Sequence, residues 1–327
     1  MPIISSPHQF NVEDLYLDLR GVHGTPLFLK CEGFNFAGSI KLKAATEMVD
    51  AAEREGLIGP DSVLVESSSG NLGVALAIIS ADRGYRFICV TDPRCNVTTQ
   101  RLMRSLGAEV QVISTQDSNL GYLHSRIQYV RDLCASNDRY VWLNQYTNPN
   151  NWRAHYEHTA PTIARTFPDL DILFVGAGTT GTLMGCARYF KEHRLPVTVV
   201  AVDAVGSVTF GGLPERRVVP GLGTSTRPQL LDEAWIDDVV HVSEPETIRA
   251  CHAMAARGFV LGGSTGTVVS GAARWLGEKY PGEEPVAVAI SPDLGERYLT
   301  SVYDEGWLRE HFGPSVLSTD SLWSPHP

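Results

Sequence analysis

Short runs of apolar, often β-branched residues alternate with longer amphipathic segments along most of the chain. Seven of these runs are predicted as strands, and they begin at Pro26, Val63, Arg86, Glu109, Asp171, Val197 and Val286. The segments between them with helical spacing of apolar residues begin at Ile40, Asn71, Gly121 and Thr180. Regular alternation of strand and helix is typical of β-α-β units, which build parallel sheets. Their number predicts an α/β fold of two doubly wound parallel-sheet domains.

Glycine marks the predicted ends of three helices. Gly56, Gly84 and Gly107 each follow an amphipathic segment, at the place where a left-handed cap ends a helix. At the C-terminus, residues 318–327 (STDSLWSPHP) are polar and contain proline. We expect a loose tail there.

The composition is that of a soluble globular protein and limits its partners. Of 327 residues, 43% are apolar and 20% are charged, which excludes a mainly disordered chain. The 27 Lys and Arg residues against 37 Asp and Glu residues give a formal charge of −10, which disfavours nucleic acid and anionic membranes as partners. The sequence shows no signal-peptide pattern and no apolar stretch of about 20 residues. We therefore expect a cytoplasmic protein that binds small molecules.

The six cysteines are scattered and form no C-x-x-C pair, and none has a histidine at the spacing of a metal site. We expect free, buried thiols and no metal ion. The six are Cys31, Cys89, Cys95, Cys134, Cys186 and Cys251.

A glycine-rich segment, VGAGTTGTLMG, follows the strand from Asp171 and opens a helix. Its backbone N–H groups and the helix dipole are suited to a phosphate. Gly176, Gly178 and Gly181 also match the dinucleotide motif G-x-G-x-x-G, with Asp203 at the position of the ribose-binding acid. A tight turn without a ligand is the third interpretation.

Three further segments place polar groups where predicted helices begin. Lys41 in FAGSIKLKAA follows a turn of small residues, from which its amine could reach a cleft; otherwise it is a surface charge. Ser264 lies in the glycine-flanked loop GGSTGT. The turn ESSSGNLG offers hydroxyl and N–H groups suited to a carboxylate, and its polar residues are Ser68, Ser69, Gly70 and Asn71. For the serines, capping of the helix is the alternative.

Taken in order, the motifs HGTPL, GSIK, SSGN, GAGTTGT, GGSTG and SPDLGERYL resemble those of the cysteine synthase family of fold type II pyridoxal-phosphate enzymes. The resemblance covers roughly residues 24–307. It implies a tryptophan synthase β-like fold, a pyridoxal 5'-phosphate cofactor and a homodimer. It also implies a larger cofactor-phosphate-binding domain, 1–38 plus 150–327, and a smaller mobile domain, 39–149, that carries the substrate-carboxylate loop.

The resemblance also implies a role for each motif residue. Lys41 would bind the cofactor as a Schiff base, Asn71 would bind its 3-oxygen, and Ser264 would face its pyridine nitrogen. The phosphate would be bound by Gly178, Thr179, Thr180, Gly181 and Thr182. The substrate would be bound by Ser68, Ser69, Gly70, Arg126, Gln145 and Tyr146. A nicotinamide enzyme has no use for this lysine and this serine, so the dinucleotide interpretation is set aside.

The lysine motif departs from the family pattern. The family continues as Lys-Asp-Arg after an Asn-Pro pair, whereas this chain has Asn35-Phe36 and then Lys41-Leu42-Lys43. The neighbouring ion pair of the family motif is therefore expected to be missing, and Lys43 becomes a rival for the cofactor. The residues GSI directly before Lys41 match the family spacing and favour Lys41.

The residue facing the pyridine nitrogen bears on the type of reaction. A neutral Ser264 cannot keep that nitrogen protonated as a carboxylate would, which disfavours transamination and racemisation. Loss of a β-leaving group followed by addition of a nucleophile to an aminoacrylate is favoured instead. The predicted reaction is thus a β-replacement.

Stretches beginning at Gly121, Asn144, Asp203 and Ser291 resemble one branch of the family in particular. That branch joins O-phospho-L-serine to the amine of L-glutamate and gives N-(2-amino-2-carboxyethyl)-L-glutamate, which leads to 2,3-diaminopropionate for siderophores or for antibiotics such as capreomycin and viomycin. Both substrates are anionic, and the candidate cations at the entrance are Arg126, Arg153 and Arg217. For Arg153 and Arg217 a surface or structural role is favoured.

Two other functions are compatible with these motifs. A cysteine synthase or cystathionine β-synthase would use a thiol as the nucleophile. A catalytically silent ligand-sensing module would keep the fold without the reaction, but the presence of all four cofactor segments favours an enzyme.

Overall fold

The computed structural model describes residues 3–116 and 121–317, and the predicted tail at 318–327 lies outside them. The strands of the described chain form a larger and a smaller sheet. In spatial order, the larger sheet contains β1 Tyr16–Asp18, β2 Phe28–Cys31, β10 Ala287–Ser291, β7 Ile172–Gly176, β8 Thr198–Ala204 and β9 Asp238–Val242. The smaller sheet contains β5 Glu109–Val112, β4 Arg86–Thr91, β3 Val63–Ser67 and β6 Tyr140–Trp142.

Helices cover the faces of both sheets. They are α1 Leu19–His23, α2 Lys41–Arg54, α3 Asn71–Arg83, α4 Val97–Ser105, α5 Leu123–Ser136, α6 Asn150–Ala154, α7 Ala160–Thr166, α8 Gly181–Glu192, α9 Glu244–Ala255, α10 Gly263–Lys279 and α11 Glu305–Phe312. A π-helical segment, His155–Thr159, joins α6 to α7. Across the part of the chain that the structure describes, no helix is both long enough and apolar enough to traverse a bilayer.

The predicted α/β architecture is confirmed, with one correction to the larger sheet. All seven predicted strands and the four predicted helices are present, and Gly56, Gly84 and Gly107 have positive φ angles of 67°, 74° and 86°. The larger sheet is mixed rather than wholly parallel, because β1 runs antiparallel to β2. The connection between these two strands is too short for the crossover of a dozen or more residues that a parallel pair needs.

The two sheets divide the chain in the way that the domain prediction does. The strands of the larger sheet all lie within 1–38 and 150–327, and those of the smaller sheet lie within 39–149. Each sheet packs apolar side chains on both faces, as doubly wound sheets do. We propose these ranges as the two domains. All six cysteines are free; five are buried and Cys134 is partly exposed.

Candidate active site

A cavity of about 590 Å³ lies where loops from the two sheets meet, and a smaller cavity of about 50 Å³ lies beside it. In parallel α/β sheets, ligands bind beyond the carboxyl ends of strands, and the loops after β3, β4, β7 and β10 meet here. Every residue predicted for the site lines one or both cavities. They are Lys41, Ser68, Ser69, Gly70, Asn71, Arg126, Gln145, Tyr146, Gly178, Thr179, Thr180, Gly181, Thr182 and Ser264.

Lys41 is the first residue of α2 and lines both cavities. Burial lowers the pKa of its amine from 10.5 to about 8, and the carboxylate of Asp293 acts in the opposite direction. A lysine whose amine loses its proton near neutral pH is suited to bond a carbonyl group and to carry protons.

Lys43 lies on a different side of the same helix and lines neither cavity. Its Nζ is 3.0 Å from Oε2 of the buried Glu32 and 3.5 Å from Oε1 of Glu13. Removing a partner from such a buried ion pair is costly, so Lys43 is held in a structural role. The residues Leu42 and Lys43 thus replace the family's ion pair by a different one, between Lys43 and Glu32.

The glycine-rich turn between β7 and α8 leaves backbone donors available. Thr180 is the N-cap of α8, has a left-handed backbone with φ 66°, and makes no capping hydrogen bond with its side chain. The first N–H groups of a helix have no partner within the helix and bind anions readily. A Cβ on Gly181 would come within 2.1 Å of Asn151 Oδ1, so the turn accepts no larger residue at this position.

Two residues that the sequence analysis did not single out hold this turn by contacts with its threonine side chains. The Asn151 amide donates to Thr179 Oγ1 at 3.1 Å, and a ring nitrogen of the buried His155 lies 3.2 Å from Thr182 Oγ1. By contrast, Asp203 is fully buried, accepts from the Ala204 N–H and lines neither cavity. Asp203, the acid that a dinucleotide site would need, is therefore not among the described residues that line the two cavities.

The loop after β3 is fixed by hydrogen bonds from within. Ser68 Oγ accepts from the N–H groups of Gly70 and Gly73 at 3.3 and 3.0 Å. The N-cap of α3 is Gly70, so Ser68 satisfies an N–H of the first turn from outside the helix. Its own hydroxyl hydrogen remains a donor. Ser69 is exposed at the cavity surface. The loop therefore offers hydroxyl groups and the N-terminus of α3 to a ligand.

A buried acid, Glu66, holds this loop against the segment after β6. Its carboxylate accepts from the N–H groups of Ser67 and Gln145 at 2.8 and 3.1 Å and from Trp142 Nε1 at 3.1 Å. Burial raises the pKa of Glu66 to about 7, although these hydrogen bonds act in the opposite direction and lower it. The Gln145 amide donates to Ser67 O at 2.8 Å, so its placement at the cavity includes a role in holding the loop.

Ser264 is not an isolated neutral group. Its hydroxyl donates to Oδ1 of Asp293, and Oδ2 of Asp293 accepts from Asn71 Nδ2 at 2.7 Å and from Tyr298 OH at 2.6 Å. The inference drawn from a neutral Ser264 is therefore incomplete, because a buried carboxylate lies one hydrogen bond behind it. The motif SPDLGERYL contains Asp293, but no pattern in the sequence indicates these contacts.

Arg126 is buried in α5 and lines the larger cavity, where a substrate-binding cation is predicted. Its Nε is 3.3 Å from Asp92 Oδ2, while Nε and Nη1 lack hydrogen-bond partners among the described residues. Tyr146 lines the same cavity, and burial raises the pKa of its phenol. Arg153 is exposed, bonds Asn150 and lies outside both cavities, whereas Arg217 lines the larger one.

These residues fit the cofactor that the sequence motifs imply. The N-terminus of α8 has unused N–H donors for a phosphate, and Lys41 offers an amine of lowered pKa to an aldehyde. Ser264 and Asn71 lie on the same small cavity, within reach of the groups of a pyridine ring. The smaller cavity is thus lined by the groups that pyridoxal 5'-phosphate needs for its phosphate, its aldehyde and its ring. The larger cavity leaves room for an amino-acid substrate.

Comparison with known proteins agrees with this chemistry. A family model described as pyridoxal-phosphate dependent enzyme matches residues 16–292. Proteins from Ralstonia nicotianae (42% identity over 285 residues, 86% of this chain and 83% of the relative) and Cupriavidus metallidurans (40% over 293 residues, 89% and 86%) are both named N-(2-amino-2-carboxyethyl)-L-glutamate synthase.

The fold is shared with a solved structure from another organism. The O-acetylserine dependent cystathionine beta-synthase from Helicobacter pylori is 26% identical, with a TM-score of 0.84 over 92% of this chain and 99% of that chain. The family model spans most of the sequence, and both named relatives are at least 40% identical to it. The chain therefore belongs to the pyridoxal-phosphate dependent enzyme family, as a fold type II enzyme with pyridoxal 5'-phosphate as its cofactor.

Proposed function

We propose that this enzyme catalyses a β-replacement in which the amine of L-glutamate displaces the phosphate of O-phospho-L-serine. The product is N-(2-amino-2-carboxyethyl)-L-glutamate, a precursor of L-2,3-diaminopropionate. The observation that carries the proposal is Arg126, a buried cation in the cleft with two N–H groups that no described residue accepts. The names of the two relatives support the same pair of substrates. We propose a cytoplasmic homodimer as its setting.

Each proposed role follows from a group in the cleft. Bound pyridoxal phosphate supplies an electron-withdrawing ring that stabilises the charge left when the α-proton departs. Lys41 Nζ removes that proton, because its lowered pKa makes the neutral amine available. Ser68, Ser69 and the N–H groups at the start of α3 bind the substrate carboxylate. Arg126 binds the phosphate and stabilises its charge as the β-bond breaks.

A cysteine synthase or cystathionine β-synthase is the second candidate. Its support is the shared fold with a cystathionine beta-synthase of Helicobacter pylori. The acetyl ester of O-acetyl-L-serine, however, is uncharged until it leaves as acetate, whereas a phosphate ester is already anionic in the substrate. The acetyl ester therefore gives less reason to bury an arginine beside the substrate loop. The leaving group and the nucleophile therefore decide between the two candidates.

The substrate pair is tested by product mass. We expect O-phospho-L-serine with the holoenzyme to release phosphate, and L-glutamate added to the mixture to appear in a product with the mass of N-(2-amino-2-carboxyethyl)-L-glutamate. Sulfide and homocysteine serve as competing nucleophiles at equal concentration. If O-acetyl-L-serine and a thiol form the much more efficient pair, the assignment of substrates is wrong although the type of reaction stands.

The role of Arg126 is tested by Arg126→Ala with two leaving groups. Loss of a charge-assisted hydrogen bond costs about 1.5 to 3 kcal/mol, which corresponds to roughly tenfold to over a hundredfold in kcat/KM. We expect a loss of this size with O-phospho-L-serine and a much smaller loss with O-acetyl-L-serine. Because both substrates meet the same variant, the ratio corrects for any damage from the unpaired Asp92. An unchanged ratio would contradict the assignment.

The pKa of Lys41 predicts the pH at which the apoenzyme takes up its cofactor. Since only the neutral amine reacts, the rate of pyridoxal phosphate capture, followed by absorbance, should rise with a midpoint near pH 8 rather than 10.5. Asp293 stabilises the charged amine, so Asp293→Asn should move the midpoint to lower pH. Asp50→Asn on the same helix is the control and should leave it unchanged. A midpoint near pH 10.5 in wild type would contradict the lowered pKa of Lys41. A midpoint in Asp293→Asn that is no lower than in wild type would contradict the role of Asp293.

A further inference from the structure

The hydroxyl of Ser264 has a single hydrogen to donate, and the protein itself uses that hydrogen. Ser264 is buried, and its Oγ donates to Oδ1 of Asp293. The other hydroxyl that bonds with Ser264 is that of Tyr298, which donates its own hydrogen to Oδ2 of Asp293 at 2.6 Å. A hydroxyl carries one hydrogen and two lone pairs, so Ser264 Oγ offers only lone pairs to a ligand in the cavity.

The direction of the hydrogen bonds at Asp293 is set by an arginine. The guanidinium of Arg297 can only donate, and it donates to Asn71 Oδ1. This contact fixes the orientation of the Asn71 amide, so that Nδ2 donates to Oδ2 of Asp293 at 2.7 Å. Asp293 therefore accepts from Asn71, Tyr298 and Ser264. Three donors directed at one carboxyl group favour its ionised form.

Opposing effects act on the charge of Asp293. Burial raises its pKa, whereas the hydrogen bonds that it accepts and the positive charge of Arg297 lower it. The amine of Lys41 is a second cation that interacts with it. An ionised carboxylate has no hydrogen to donate, so it leaves Ser264 as the donor in their hydrogen bond.

Asp293 acts on the cofactor site through Ser264. Asp293 lines neither cavity, whereas Ser264 lines the smaller one together with Lys41 and the glycine-rich turn at 178–182. A neutral pyridine nitrogen is an acceptor and forms no hydrogen bond with a lone pair of Ser264 Oγ. A protonated pyridine nitrogen is a donor and matches that lone pair.

We propose that Asp293 is a positioning residue that keeps Ser264 as a hydrogen-bond acceptor, so that the ring nitrogen of pyridoxal 5'-phosphate is bound in its protonated form. The proton is taken from water when the cofactor binds, and the Asp293 carboxylate, one hydroxyl away, balances its charge. This reverses the expectation that a serine at this place leaves the nitrogen unprotonated. The inference rests on the cofactor and not on the proposed pair of substrates.

A protonated ring nitrogen changes what selects the type of reaction. The protonated ring withdraws electrons more strongly than the neutral ring and stabilises the charge left by the α-proton. Selection of β-replacement over transamination then depends on rapid loss of the β-leaving group rather than on a weakly withdrawing ring.

The test reads the protonation state of the ring nitrogen directly. The apoenzyme is reconstituted with pyridoxal phosphate that carries the heavy nitrogen isotope in its ring, and the nitrogen signal of the holoenzyme is recorded by solid-state NMR near neutral pH. Free cofactor in acid and in alkali gives the two reference shifts. We expect the wild-type signal near the reference for the protonated nitrogen. A wild-type signal near the neutral reference would overturn the inference, since Ser264 would then donate to the ring.

Two variants separate the role of Asp293 from general damage to the site. Asp293→Asn keeps an oxygen for Asn71 and Tyr298 and directs an N–H group toward Ser264, which frees the serine hydrogen for the ring. We expect its signal to move to the neutral reference. Tyr298→Phe is the matched control, because it removes one donor from the same carboxylate but leaves the bond from Ser264, and it should keep the wild-type signal.

Either variant can contradict the role of Asp293. Retained protonation in Asp293→Asn, or loss of protonation in Tyr298→Phe, would show that the bond between Ser264 and Asp293 does not set the state of the nitrogen. If Asp293→Asn fails to fold, Ser264→Ala takes its place with the same expectation, since it removes the acceptor. The measurement needs no amino-acid substrate, so its result is independent of the proposed function.

Discussion

The buried carboxylate of Asp293 connects the two sides of the cleft, and the arrangement of the site depends on it. It accepts hydrogen bonds from Asn71 at the start of α3 and from Ser264 and Tyr298 on the side of the larger sheet. A buried charge is tolerated only when such partners are in place, so these three side chains are constrained together. The same carboxylate opposes the effect of burial on Lys41. Amine reactivity and the position of Ser264 are therefore linked through one residue.

Charge in this protein is separated between surface and cleft. The whole chain carries a formal charge of −10, while the arginines that line the larger cavity offer anionic substrates a local site. Arg126 shows how this is achieved: α5 presents it inward with Nε 3.3 Å from Asp92 Oδ2, and Nε and Nη1 have no hydrogen-bond partner among the described residues. The carboxylate stabilises the buried arginine, and the unused donors remain for a substrate.

Features encoded within short contiguous motifs could be predicted from the sequence. The turn at 176–182 and the place of Lys41 at the start of a helix are local features, and the structure has both. Three strands were missed, and two of them, β1 and β6, contain three residues each, which is too short for a periodic signal. β9 also escaped, because its sequence DVVHV mixes charged and apolar residues.

Contacts between residues that are far apart in the chain could not be predicted from the sequence. Asn71 and Asp293 are 222 positions apart, and no spacing rule brings them together. The burial of Arg126 was equally hidden, since helical periodicity shows which residues share a face but not which partner covers it. The pairing of Lys43 with Glu32 likewise depends on how α2 packs against β2 and its following loop. Each of these three features depends on tertiary packing, which no local pattern of the sequence encodes.

Covalent mapping shows whether Lys41 alone carries the cofactor. The holoenzyme is reduced with borohydride, digested, and examined by mass spectrometry for the phosphopyridoxyl group on lysine. We expect the group on Lys41 in nearly stoichiometric amount and none on Lys43. The group on Lys43, or spread over surface lysines, would contradict the account.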